Sequence, residues 1–113
     1  MVPHSTFWLL DRHGEIVAVS NLRHALTDYL LSWGGHIGYG VRPAMRNQGY
    51  ATEVLRRTLL EARALGLRRI RMTCDKDNVA SAKTILRNGG EPDGEAPLPG
   101  EQRVVSRFWI SLA

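Results

Sequence analysis

The chain has 113 residues, of which 43% are hydrophobic and 23% charged, a composition typical of one globular domain and not of a disordered or fibrous protein. Its single cysteine, Cys74, excludes an intramolecular disulfide and favours a reducing, cytoplasmic location. No apolar run approaches the roughly 20 residues of a membrane span, and residues 7–10 are too short for a signal-peptide core. The net charge of +4 permits an anionic partner, but charge alone names none.

The first part of the chain predicts β-strands. Residues 5–10 are short and apolar, residues 15–22 alternate, and the turn-forming residues 11–14 between them predict a β-hairpin. Residues 27–33 fit either a helical turn or a loop packed on the sheet. Residues 36–41 predict a third strand whose glycines mark a bulge or a close approach of another group to the backbone.

A helical period begins after these strands. Apolar residues recur at three- and four-residue steps from Ala51 to Leu65, which predicts an amphipathic helix that Gly66 ends. Residues 67–74 then predict a strand with Ile70, Met72 and Cys74 on one face.

The last part of the chain predicts a second helix and a final strand. Asp77 or Asn78 can cap the helix, and Gly89 closes it. Residues 91–102 hold three prolines and two glycines and are predicted to be mostly loop, and residues 103–112 predict a strand. The predicted buried stripe of the helix consists of Ala82, Ile85 and Leu86.

The order β-β-β-α-β-α-β predicts a single α+β domain over residues 1–113, an α/β sandwich with two helices on a mixed, mostly antiparallel sheet. No metal site is predicted.

The segment 41–51 carries the strongest chemical signal. A strand ends, a polar turn follows, and a long helix begins at Gly49. The free amides and the positive dipole end of a helix N-terminus bind anions, and Arg46 adds a charge. Without further context an ordinary strand-to-helix turn with a glycine cap explains the pattern equally well.

Two motifs in order supply that context. Val41, Pro43, Arg46, Gly49 and Ala51 lie at the spacing Val-x-Pro-x-x-Arg-x-x-Gly-x-Ala, which resembles the acetyl-CoA pyrophosphate loop of the GNAT superfamily of N-acetyltransferases. The later blocks 78–81 and 87–90 resemble the fourth-helix motif of the same superfamily. The resemblance covers nearly the whole chain from about Ser5, and the strand and helices with which these enzymes usually open are expected to be absent.

The resemblance implies acetyl-CoA as cosubstrate. Its pantetheine arm would run between the strands 36–41 and 67–74, which should be parallel and splay apart. The residues implied in cofactor binding are Tyr39, Val41, Arg46, Asn47, Gln48, Gly49, Tyr50, Ala51 and Asn78.

The catalytic residues are less well marked. Many members of the superfamily place a glutamate base early in the third strand, where this chain has His36, so His36 is predicted either to act as the base or to form a local hydrogen bond. His24 is a weaker alternative. The usual thiolate-protonating tyrosine is replaced by Ile85, so Tyr39 or a water would have to substitute. Cys74 is expected to be an unreactive strand residue.

Three functions remain open from the sequence. The first is an acetyl-CoA-dependent N-acetyltransferase that acts on a small-molecule or peptide amine by direct attack. The second is a non-catalytic acyl-CoA-binding or regulatory protein of the same fold, and the third, least favoured, is a basic nucleic-acid binder, although no basic stripe is visible. No membrane partner is expected, and the exposed first strand predicts a homo-oligomer such as a dimer.

Overall fold

The computed structural model describes residues 3–112, and its first half is a three-stranded antiparallel sheet. The strands are β1 (His4–Leu10), β2 (Ile16–Arg23) and β3 (Ile37–Val41), in the order β1-β2-β3. The predicted hairpin and third strand are therefore confirmed.

A long helix, α1 (Tyr50–Ala64), follows β3 after a 3₁₀ turn at Pro43–Met45. Its apolar residues pack on the inner face of the first sheet, where Leu22 and Ile37 meet Leu55 in the main core. The amphipathic period in the sequence therefore predicted this helix correctly, because one stripe of the helix faces the sheet and the other faces water.

The second half forms another three-stranded antiparallel sheet with one helix. The strands are β4 (Arg69–Asp75), β5 (Gly90–Pro97) and β6 (Val104–Ser111), in the order β4-β6-β5, and the helix is α2 (Val79–Arg87). Both helices contact each other and lie on one side of the molecule, so the fold is α+β as predicted.

The prediction of a loop over residues 91–102 is wrong for its first part, because β5 occupies Gly90–Pro97. This strand lies at the edge of its sheet, where a proline without an amide hydrogen is tolerated because its outer side needs no partner. The pairing with β6 is interrupted between Pro92 and Glu95, which accommodates the proline and glycine content of the segment.

The buried stripe predicted for α2 needs one correction. Ile85 is fully buried and Ala82 packs on the core, but Leu86 is 48% exposed and Thr84 is buried instead. The hydroxyl of Thr84 donates to the carbonyl of Ala80, which lets a polar side chain occupy this position.

The segment of residues 27–33, ambiguous in the sequence, contributes to a single π-helical turn at Leu30–Gly34. The indole of Trp33 donates to the carbonyl oxygen of Pro97 (2.9 Å) and packs on Ala96, Leu98 and Val105. This turn therefore covers part of the second sheet on the side away from the helices. In the described part of the chain, no helix has the length and apolar character to cross a membrane.

Candidate functional site

The two sheets meet at one point and separate beyond it. The backbone amide of His36, just before β3, donates to the carbonyl of Arg71 in β4 (2.8 Å). The amide of Arg71 donates in return to Nδ1 of the His36 ring (2.8 Å). Past this junction β3 pairs only with β2 and β4 pairs only with β6 among the described strands. The backbone edges of β3 and β4 that face each other are therefore left unpaired, and the space between these two edges is called the cleft below.

The junction is tight because a glycine lies against β4. Gly35 has φ +72°, and a Cβ there would be 2.6 Å from the carbonyl oxygen of Arg71. Both the backbone conformation and the lack of space require glycine at this position.

His36 has a buried, structural environment. It is 6% exposed, and its Nδ1 lone pair is used by the Arg71 amide, so the neutral ring carries its hydrogen on Nε2. Burial and the neighbouring charges of Arg71 and Arg23 lower the pKa of His36 to about 4. Of the two roles expected from the sequence, this geometry favours the local hydrogen bond, since the ring offers no free lone pair to an acceptor amine.

The lowered pKa of His36 makes stability depend on pH. The unfolded chain takes up a proton near pH 6.5 and the folded chain only near pH 4, so unfolding is favoured progressively as pH falls through this window. The expected loss is up to about 1.4 kcal/mol per pH unit. Urea unfolding at pH 7 and pH 5 measures it, with His36→Gln as the variant that should lose most of the difference. An equal pH dependence in both proteins would show that another group is responsible.

The loop after β3 presents backbone amides to solvent. Asn47 (φ +62°) and Gly49 (φ +83°) both adopt left-handed conformations before α1 begins at Tyr50. Gly49 is the N-cap and offers no side chain to the first-turn amides, and a Cβ at this position would meet nothing within 4 Å. Open, unpartnered amides at the positive end of a 15-residue helix form a suitable anion site.

The side chains of this loop fit the same ligand. Arg46, Asn47 and Gln48 are exposed, whereas Tyr50 is half-buried against the cluster that contains Val54. The one acidic residue of the first turn, Glu53, binds Arg56 and Arg57, which lower its pKa to about 2. Its negative charge is thereby balanced within the helix.

A second helix N-terminus lies at the end of β4. The side chain of Asn78 accepts a hydrogen bond from the Ser81 amide (3.1 Å) and caps α2, as the sequence predicted. Its amide nitrogen is not used in this cap, so it remains able to donate to a ligand.

A hydroxyl pair joins β3 to α2, and the sequence did not reveal it. The phenol of Tyr39 and the hydroxyl of Ser81 lie 2.8 Å apart. Burial raises the pKa of the Tyr39 phenol, and burial also raises the pKa of the Cys74 thiol beside Ser81. Both groups are therefore held in their protonated forms at neutral pH. Tyr39 and Ser81 are 42 positions apart in the chain, which is why no local motif could connect them.

Two other residues considered from the sequence take no part in this hydroxyl pair. His24 forms a hydrogen bond between its Nε2 and the hydroxyl of Ser5 (2.8 Å), at the start of the first hairpin. Ile85 is fully buried in the core. Within residues 3–112, no group of three or more histidine, cysteine or carboxylate side chains is arranged to hold a metal ion.

Comparison with solved structures identifies proteins with the same fold. The spermidine N-acetyltransferase of Vibrio cholerae, solved with CoA and spermine, has a TM-score of 0.77 and 17% identity, with 96% of this chain and 65% of that chain covered. The protein yncA of Salmonella typhimurium, solved with its cofactor acetyl-CoA, has a TM-score of 0.70 and 18% identity, with 88% and 60% covered. The chain thus spans about two thirds of the length of these proteins.

At the level of sequence, no curated protein matches the chain significantly. The family model described as an acetyltransferase (GNAT) domain matches residues 3–91, which include the loop at Gly49 and the cap at Asn78. The chain therefore belongs to the GNAT acetyltransferase family.

Proposed function

We propose that this protein is an acetyl-CoA-dependent N-acetyltransferase that acts on an amine. The observation that carries the proposal is the cleft between β3 and β4, which is flanked by the open amides of the Gly49 loop and by the Asn78 cap. The family match supports acetyl-CoA as the cosubstrate.

Each part of the cleft suits one part of that molecule. The amides of residues 47–51 would hold the pyrophosphate, with the Arg46 charge nearby. The unpaired edge of β3, near Tyr39 and Val41, offers backbone donors and acceptors to an amide-containing arm, and Asn78 offers its side-chain nitrogen. The reactive end would then lie toward the junction at His36.

The reaction needs two proton movements. The amine nitrogen attacks the thioester carbonyl, a C–N bond forms and the C–S bond breaks, while the amine loses one proton and the departing thiolate gains one. Backbone amides of β3 would bind the carbonyl oxygen of the thioester and stabilise the negative charge that develops there. Holding the amine beside that carbonyl would add catalysis through positioning. Tyr39, held protonated against Ser81, is the proposed proton donor to the thiolate.

Tyr39→Phe tests this role. It keeps the ring and the backbone, so acetyl-CoA binding should be unchanged, but loss of the acidic hydroxyl should lower kcat at least about tenfold, at the low end of general acid catalysis. Ser81→Ala, which leaves the phenol in place without its partner, should have a smaller effect. Steady-state kinetics with acceptor and acetyl-CoA varied separately measures both. An unchanged kcat in Tyr39→Phe would mean that another group or water protonates the thiolate.

The alternative is an acyl-CoA-binding protein without turnover. The buried Ile85 favours it, because this side chain cannot donate a proton. An assay that follows release of the CoA thiol and acetylation of amines in a mixed panel distinguishes the two. Acceptor-dependent thiol release supports the enzyme, whereas binding of acetyl-CoA without acetylated product supports the alternative.

Oligomeric state and location stay predictions. β1 is an edge strand, and its Trp8 is 65% exposed, which is the physical basis for expecting a homo-oligomer through that strand. A cytoplasmic location is proposed only from the cysteine usage.

A further inference from the structure

The face of the sheets opposite the helices carries a distinct set of side chains. In β4, Ile70 and Met72 enter the core with the helices, so the alternating residue Arg71 faces the other side. In β2, Leu22 enters the core and Arg23 faces the other side in the same way. The acceptor must reach the cleft from this face, because α1 and α2 occupy the inner one.

The strand β3 presents no side chain to this face. Gly38 lies opposite Asn21 and Gly40 opposite Val19, and these pairs share the face of Arg23. Both glycines are exposed, and a Cβ at either would meet nothing within 4 Å. At the Val41 end of the strand, an open depression of about 700 Å³ is lined by residues 14–19 and 40–42. A small molecule can therefore lie directly on the backbone of β3, in an open trough beside the proposed path of the cosubstrate.

The end of the trough at the sheet junction is cationic. The Arg23 guanidinium donates to the carbonyl of Gly35 (3.0 Å), and no carboxylate in residues 3–112 lies within 4 Å of it. The Arg71 side chain is 5% exposed and binds Asp93 (2.9 Å), and its buried Nε has no partner. Arg23 therefore keeps an uncompensated positive charge at the junction, whereas Asp93 balances the charge of Arg71.

A polycationic acceptor is poorly suited to this position, since its ammonium groups would be repelled by the Arg23 guanidinium, which has no carboxylate beside it. A carboxylate would instead be attracted and could form paired hydrogen bonds with Arg23. Burial, together with the charges of Arg71 and Arg23, lowers the pKa of His36, and the same surroundings would favour the neutral, nucleophilic form of an amine bound nearby.

We propose that the acceptor is a small amine that also bears a carboxylate, which Arg23 binds while the rest of the molecule lies over Gly38 and Gly40. This inference rests on the proposed acetyl transfer: the amine of the acceptor gains the acetyl group, loses one proton, and leaves CoA with a free thiol. Arg71 holds His36 through its backbone amide and carbonyl, and its side chain is paired with Asp93, so it is not proposed to bind the acceptor.

Matched acceptors test the proposal. The pairs phenylalanine and phenethylamine, tyrosine and tyramine, and lysine and cadaverine differ only in the carboxylate, and methyl esters of the amino acids remove its charge. Spermidine serves as the polycation. The expected kcat/KM is at least tenfold higher for the best amino acid than for its amine, its ester or spermidine. Arg23→Gln should abolish this preference, and Arg23→Lys, which keeps the charge, should retain most of it.

A second variant tests the trough. Gly38→Val fills the space over β3 and should raise the KM for the acceptor while leaving the melting shift caused by acetyl-CoA unchanged. Equal or better use of amines that lack a carboxylate would overturn the inference and leave the proposed acetyl transfer intact.

Binding provides a readout that does not depend on turnover. If no amine is acetylated although acetyl-CoA binds, the proposed enzymatic function fails. The same amino acids should then still raise the melting temperature of the CoA-saturated protein, and Arg23→Gln should lose this effect. Absence of that stabilisation as well would overturn the carboxylate site.

Discussion

Replacing Gly49 with glutamate is expected to lower the affinity for acetyl-CoA at least tenfold, or about 1.4 kcal/mol. The new carboxylate would stand where the open amides before α1 are proposed to bind the pyrophosphate, so it would repel the ligand and occupy its space. A Cβ at this position would meet no protein atom within 4 Å, so the substitution causes no backbone-level clash within the protein. Isothermal titration of the folded variant measures the change.

Gly66→Glu is the matched control for this substitution. Gly66 lies beyond the other end of α1, has φ +89° compared with +83° at Gly49, and likewise has open space around a Cβ. The two substitutions therefore have a similar conformational cost at positive φ, but only Gly49→Glu should lower the affinity for acetyl-CoA. Equal affinities in the two variants would remove the loop from the proposed site.

Replacing Gly35 with alanine is expected to lower the free energy of unfolding by about 2–4 kcal/mol. Gly35 combines φ +72° with ψ −179°, a conformation essentially restricted to glycine, and the added Cβ would be 2.6 Å from the Arg71 carbonyl. That carbonyl accepts the hydrogen bond of His36, so the junction between the two sheets must shift to relieve the contact. Urea unfolding of the purified variant measures the loss.

Gly38→Ala is the control for the junction. Gly38 lies three residues further along, has no positive φ, and leaves open space for a methyl group. Its stability should change by much less. If both variants were equally stable, the tight contact at Gly35 would have no energetic importance.

The fold was largely predictable because most elements carry a strong local pattern. The helix α1 has a clear amphipathic period, and the first hairpin has a turn of the right composition. The strand β5 was missed because Pro92 and Pro97 argue locally against a strand, whereas pairing with β6 at a sheet edge is a tertiary effect. The exposure of Leu86 was missed for a similar reason, since only the packing shows which side of α2 faces the core.

The candidate site was predictable only where it is local. The turn from Val41 to Ala51 and the Asn78 cap are contiguous in sequence, so their motifs point directly to an anion site and a helix start. The contact of Tyr39 with Ser81 and the burial of His36 against Arg71 join residues 42 and 35 positions apart. No spacing rule encodes such contacts, because they depend on how the two sheets are placed relative to each other.

The most direct test of the cleft is thermal unfolding of the unmodified chain in increasing concentrations of acetyl-CoA. A ligand that binds only the folded state stabilises it by RT ln(1 + [L]/Kd), about 2.7 kcal/mol at a hundredfold excess over Kd. For a domain of this size the predicted result is a rise in melting temperature of several degrees that increases with the logarithm of the ligand concentration. An unchanged melting temperature at millimolar acetyl-CoA would contradict the assignment of the cleft as the cosubstrate site.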